Sequence, residues 1–426
     1  MAESYERHEK QAPSIKIISA INRPSIAHSR PSAAHEATHV IPHRETKKLI
    51  NETSEFCTEQ ILKMLGEFPD FLVVGVLGTD GTGKSTIMSH LCGPGVKSKG
   101  EPVQPPFPIQ SLDCILNGKY ETTGVDITVT PDRMILLDTQ AVLSASVLAE
   151  MVRCDQTLPM EAVSFENWHE LQSVQMGVFL FSVCHVVLVV QDWVGDFDMW
   201  RYVRTLEMLR SCVPHVAHAV PSAASPSVPV DPFAVDEPDP SAEYVPDIVC
   251  VFNKIPDEQF DQRHIEALSR ALDAFFFHSK FRKRADVSSS EIPSSSGSHN
   301  HGHSHSRSAP TQAPLLGEAQ VDSLISSASL APSGGTHVNF FMLPFQDNDD
   351  GTRPQASGRS LHHRQYSILS DELRNVLLGW QKRPFSRNMS EREWLRNAGR
   401  VWEGIKRSPL LSEYNKTLQK MQLYRI

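Results

Sequence analysis

Apolar positions along the chain follow two alternating rhythms. Continuous apolar, β-branched runs of strand length occur at Phe71–Leu77, Val186–Val190, Ile248–Phe252 and His337–Leu343, and Arg133–Asp138 encloses another. Runs of this kind are strands buried on both faces, as inside a parallel sheet. Between them, apolar residues recur three or four apart. Glu161–Phe181 does so through Trp168, Leu171, Val174 and Val178, and Met199–Leu209, Ile265–Phe281, Ser370–Trp380 and Ser390–Tyr424 follow the same helical spacing. A further helix is predicted from Thr46, through Leu49, Ile50, Phe56, Ile61, Leu62 and Leu65, ending at Gly66 and Pro69. Ser111–Leu116 and Ile127–Val129 read as strands or strand edges about the turn at Asn117-Gly118. Strands alternating with helices predict an α/β fold on a mostly parallel sheet, with a helical C-terminal extension. A ligand is then expected outside the carboxyl ends of the strands.

Four stretches carry no periodicity. Residues 1–47 are rich in Ser, Ala, His and Pro and read as a disordered tail. Insertions at about 214–246, 288–335 and 344–361 are Pro- or Ser-rich and read as disordered loops within one body spanning 48–426. The second insertion includes His299, His301, His303 and His305, read as part of a solvated linker.

Charge and cysteines narrow the class. A net charge of −9 argues against a general nucleic-acid footprint. The longest apolar run, Phe179–Val190, is broken by Ser182 and His185 and falls short of the about 20 residues that span a bilayer. Met1–Lys10 is polar and acidic, so no signal peptide is expected. Seven cysteines without a CxxC pair suggest a reducing compartment, the cytoplasm or else the nucleus.

The Phe71–Leu77 strand runs into Gly78-Thr79-Asp80-Gly81-Thr82-Gly83-Lys84-Ser85, with Thr86 continuing as helix. This is the P-loop pattern in its required strand–turn–helix context, and it predicts a P-loop NTPase fold, G-domain-like in the order of its signals. Glycines let successive N–H groups face phosphate oxygens, and the helix adds the positive end of its dipole. Lys84 would reach the β- and γ-phosphates, and Ser85 would ligate Mg²⁺. Thr122, in Thr122-Thr123-Gly124, and Asp138, at a strand end, complete the expected metal set. Asn253-Lys254 follows a later strand, as in a base-reading Asn-Lys-x-Asp motif. Two departures stand out. The Gly expected three residues after Asp138 is Ala141, followed by Val142 where a water-orienting Gln belongs, with Gln140 out of register. The guanine-reading Asp is Pro256, and Asp257 comes one position late. The expectation is a purine nucleotide, ATP or GTP, held with Mg²⁺ at a site whose hydrolysis machinery is degraded, with no catalytic residue assigned.

The Asp70–Gly78 strand, Leu136-Leu137-Asp138-Thr139-Gln140, Phe252-Asn253-Lys254 and Glu393-Trp394-Leu395-Arg396-Asn397-Ala398-Gly399-Arg400-Val401-Trp402 together resemble the Smg-nine family of nonsense-mediated mRNA decay factors. The resemblance runs from about residue 46 to the C-terminus, outside the three insertions. It implies a G-domain-like regulatory subunit that pairs with Smg-eight and controls the Smg-one protein kinase. From the residues alone, two other readings stay open: an active GTPase of the dynamin or guanylate-binding type, and a small-molecule P-loop kinase.

Overall fold

A computed structural model describes residues 45–93, 105–154, 158, 162–210, 216, 244–281, 283–284, 336–345, 359–385 and 388–423. The tail and nearly all of the three insertions, with the histidine tract, lie outside the described residues.

The strands are β1 Lys47–Ile50, β2 Leu72–Leu77, β3 Val125–Val129, β4 Met134–Thr139, β5 Val186–Gln191, β6 Asp247–Ile255, the short pair β7 Lys283–Arg284 and β8 Thr336–His337, and β9 Asn339–Pro344. The helices are α1 Lys84–Leu91, α2 Leu112–Leu116, α3 Ala145–Arg153, α4 Phe165–Val183, α5 Phe197–Arg210, α6 Gln262–Phe275, α7 Arg359–Leu378, α8 Glu391–Lys406 and α9 Pro409–Leu423. Seven strands form one sheet in the order β1-β3-β4-β2-β5-β6-β9. The ladders from β4 through β9 are parallel, and β3 is antiparallel to both β4 and β1. The α/β class with a mostly parallel sheet therefore holds.

Every residue of β2, β4 and β5 is buried, which is why their sequences run apolar without alternation. Their side chains feed two cores. On one face Val73, Leu137, Val187 and Val189 join residues of α4, α5, α6 and α8, and on the other Val74, Leu136 and Leu188 join α1 and α7. Helix α4 is enclosed from Met176 to Val183, so its single-sided stripe is lost in the sequence. Helix α8 keeps its stripe: Trp394, Leu395, Ala398, Val401, Trp402 and Ile405 are all buried. Trp394 Nε1 donates to Val183 O and Trp402 Nε1 to Ser54 O, each at 2.9 Å. At its first residue, the fully buried Glu391 carboxylate accepts from the Arg133 guanidinium and from Gly66 N–H. That pair clamps the C-terminal helices to the β3–β4 turn.

Several elements differ from the sequence reading. The stretch from Thr46 is not a helix: Lys47–Ile50 is an edge strand on β3, and Lys48 pairs with Asp126 at 2.7 Å. The chain then turns where Asn51 Oδ1 accepts from Glu55 N–H, and Ser54 takes a φ of 60°, which no helix tolerates. Residues Ser111–Leu116 form a short helix instead of a strand, because the Ser111 hydroxyl caps Cys114 N–H. Helix α3 has no counterpart in the predicted elements, and the C-terminal helical region is two helices, parted at Arg407–Ser408. Strand β9 extends to Pro344 and α7 begins at Arg359, just inside the edges given to the third insertion.

Candidate functional site

Strand β2, in the middle of the sheet, delivers its chain into the turn Gly78–Gly83 and then into α1. Two glycines are demanded by geometry. A Cβ on Gly78 would lie 2.4 Å from Val190 O on the neighbouring strand. Gly83 caps α1 with φ +91°, and a Cβ there would meet Asn253 Nδ2 at 2.3 Å. Because no side chain caps α1, the first N–H groups of the helix face the turn without a side-chain acceptor.

Lys84 is buried at 7% exposure, and its ammonium donates to Thr79 O at 2.8 Å, the same carbonyl that accepts from the Thr82 hydroxyl. Burial pulls the Lys84 pKa down to about 8, against the charges of Asp138 and Asp80, which favour its protonated form. Beside it, three side chains from three elements converge. Ser85 Oγ, in the first turn of α1, donates to Asp138 Oδ2 at 2.7 Å and lies 3.1 Å from Thr122 Oγ1. Thr122 Oγ1 also donates to Asp138 Oδ2, at 3.2 Å. Asp138 is fully buried near the end of β4, and Oδ1 has no hydrogen-bond partner among the described residues. Burial pushes its pKa up to about 6, opposed by the Ser85 bond and the Lys84 charge. Thr86 sits half-buried in the same helical turn.

The end of β6 closes the turn from the other side. Asn253 Nδ2 donates to Thr82 O at 2.8 Å, and the Lys254 ammonium donates to Gly81 O. Every residue singled out in the sequence, Gly78–Thr86, Thr122, Asp138, Asn253 and Lys254, thus gathers at the carboxyl ends of β2, β4 and β6. These residues fit a magnesium–nucleotide ligand: Asp138 Oδ1 is a buried acceptor lacking a donor among the described residues, and the Ser85 and Thr122 hydroxyls are oxygens of the kind a hard cation takes.

The altered positions have structural jobs of their own. Gln140 Oε1 accepts from Gly124 N–H at 2.9 Å and the Gln140 backbone N–H donates to Gly124 O at 2.8 Å, so this glutamine fastens β4 to the Thr122–Gly124 loop. Val142 is fully buried in the core, and its N–H reaches Gly78 O at 3.2 Å. A third link is absent from the sequence motifs. Asp80 Oδ2 accepts from the Ser146 hydroxyl at 2.6 Å; Ser146 Oγ lies 2.9 Å from Ser144 Oγ, and Ser144 N–H donates to His169 Nε2 at 2.8 Å. The signal was present in Ser144 as an N-cap ahead of Val147 and Met151, one buried face of a short helix. Among the described residues no group of three or more His, Cys, Asp or Glu is placed to hold a metal, and no helix is long and apolar enough to cross a membrane.

The geometry defines an α/β protein whose glycine-rich turn opens a helix at the centre of a mostly parallel sheet. No family model matches the chain. Curated relatives do. It is 30% identical over 396 residues to the nonsense-mediated mRNA decay factor SMG9 of Salmo salar, covering 89% of this chain and 69% of that protein. It is 32% identical over 375 residues to SMG9 of Xenopus laevis, covering 87% of this chain and 66% of the relative. A shorter match, 28% over 167 residues, covers 39% of this chain and 41% of SMG9 of Caenorhabditis briggsae. The chain belongs to the SMG9 family of nonsense-mediated mRNA decay factors.

Proposed function

We propose that this decay factor is a nucleotide-binding regulatory subunit, with a P-loop, G-domain-like body that holds a purine nucleotide and Mg²⁺ and does not turn it over. It would pair with Smg-eight and control the Smg-one kinase, partners implied by the family resemblance. The observation that supports nucleotide binding most is the convergence of Ser85, Thr122 and Asp138 beside Lys84, with Asp138 Oδ1 unpartnered among the described residues. A bound Mg²⁺ would neutralise phosphate charge there.

The protein's own residues divide the work. The α1 N-terminus and the turn N–H groups orient phosphate oxygens, and Lys84, freed from Thr79 O, supplies charge. Ser85, Thr122 and Asp138 supply oxygens to the cation and its water shell. Asn253 and Lys254 hold the turn in shape. Orienting a water for attack falls to none of them, since Gln140 is engaged with Gly124 and Val142 is core.

Multiple-turnover hydrolysis of ATP and GTP by the purified chain tests the reading against the GTPase alternative. The expected rate is far below 1 s⁻¹ and the same in Lys84→Ala; turnover on the order of 1 s⁻¹, lost in Lys84→Ala, overturns it. Affinity purification of the tagged chain, with identification of its stoichiometric partner, tests the assembly.

A further inference from the structure

One corner of the site departs from edge recognition of a base, and an exposed aromatic stands there. Strands β6 and β9 pair in continuous parallel register from Val249–Asn339 to Phe252–Met342. The register then slips, Ile255 pairs with Pro344, and Phe345 N–H donates to Ile255 O at 3.2 Å. The slip falls at Asn253 and Lys254, whose side chains reach the glycine-rich turn at Thr82 O and Gly81 O. Lys254 sits at the slip with φ +60°. Immediately beyond, Pro256 is exposed, and it brings no hydrogen-bonding side chain to the position of the missing carboxylate.

Phe345 is fixed to this corner through its backbone, yet its side chain is 54% exposed and makes no ring contact among the described residues. In β9 just before it, Phe341 and Leu343 belong to the core layer shared with α1, the helix that starts the phosphate cradle. A large apolar ring left in water beside a ligand site is an unused stacking surface. Stacking accepts any base with a wide π-face and needs no edge acceptor.

We propose that Phe345 stacks on the base of the bound nucleotide, so that the site recognises purines by their face and takes adenine and guanine alike. This inference rests on the nucleotide reading above. Face recognition accounts for how a site without the carboxylate acceptor still holds a base, and it disfavours pyrimidines, whose single ring offers less surface.

The test is isothermal titration of the full chain with Mg²⁺-ATP, Mg²⁺-GTP and Mg²⁺-tripolyphosphate, which has the phosphates and no base. In Phe345→Ala, affinity for both purine nucleotides is expected to fall about tenfold, and tripolyphosphate binding to stay unchanged. Phe345→Tyr keeps the ring and is expected to restore nucleotide affinity. Lys84→Ala is expected to lose all three ligands. Unchanged ATP and GTP affinity in Phe345→Ala, in a wild type that binds both, overturns the stacking role alone. An equal loss of tripolyphosphate also overturns it, because the substitution has then disturbed the cradle. Failure of the wild type to bind any of the three removes the nucleotide reading itself and this inference with it.

Discussion

The Ser85 hydroxyl donates to Asp138 Oδ2 across 2.7 Å, joining the first turn of α1 to the end of β4. Both oxygens of that carboxylate are buried, and among the described residues only one has donors. A carboxylate whose pKa rises from 3.8 to about 6 carries roughly 3 kcal/mol of destabilisation when ionised. A cation at Oδ1 would relieve it.

Asp138→Asn is therefore expected to fold, and to raise ligand-free stability by about 1–2 kcal/mol, because it removes a buried charge and keeps an oxygen for Ser85 and Thr122. The same variant is expected to lose the Mg²⁺-dependent part of nucleotide stabilisation. Urea unfolding with and without Mg²⁺ and nucleotide measures both; a destabilised ligand-free variant with normal Mg²⁺ response contradicts the assignment.

Trp402 tests what the C-terminal stripe is for. The ring is 2% exposed, packs edge-on to Phe179 at 5.5 Å and donates to Ser54 O. Trp402→Ala should cost about 3–5 kcal/mol in urea unfolding. Trp193, 68% exposed, serves as the control, and its replacement by Ala should cost little. A stable Trp402→Ala protein would mean the stripe serves a partner rather than the chain's own core.

The fold's centre was legible because its strands are buried on both faces. Val186–Val190 and Ile248–Phe252 are continuous apolar runs that no exposed element could carry. Legibility fell off at the edge. β1 is four residues long, and Leu49 and Ile50 also fit a helical spacing with Phe56 and Ile61; the left-handed Ser54 that breaks the helix is invisible in composition. Ser111–Leu116 was ambiguous for the opposite reason: Leu112, Ile115 and Leu116 are exposed, so its apolar content reports no burial pattern. At the site, residues contiguous in sequence or closing a strand are legible, while the pairing Asp80–Ser146 is not, and neither is the clamp Arg133–Glu391 at the β3–β4 turn. Their partners are 66 and 258 positions apart, and such pairings are set by the three-dimensional fold alone.

His169 gives a pH signature. Burial lowers its pKa from 6.5 to about 4, and Ser144 N–H donates to its unprotonated Nε2. Between these values the unfolded chain binds the proton and the folded one does not. Its stability contribution is thus complete above pH 6.5 and is lost as pH falls through that window. The loss should reach about 2 kcal/mol between pH 7 and pH 5. His169→Gln keeps an acceptor for Ser144 and should flatten this part of the profile. An unchanged slope in the variant would place the titration elsewhere.

Nucleotide binding through Lys84 is tested most directly by thermal unfolding of the full chain against increasing Mg²⁺-ATP or Mg²⁺-GTP. At one hundred times the dissociation constant, ligand should add about 2.7 kcal/mol of stability and raise the melting temperature, with comparable shifts for the two purines. Lys84→Ala should leave the ligand-free transition in place and abolish the rise. No rise in the wild type at millimolar nucleotide, or an equal rise in Lys84→Ala, would contradict it.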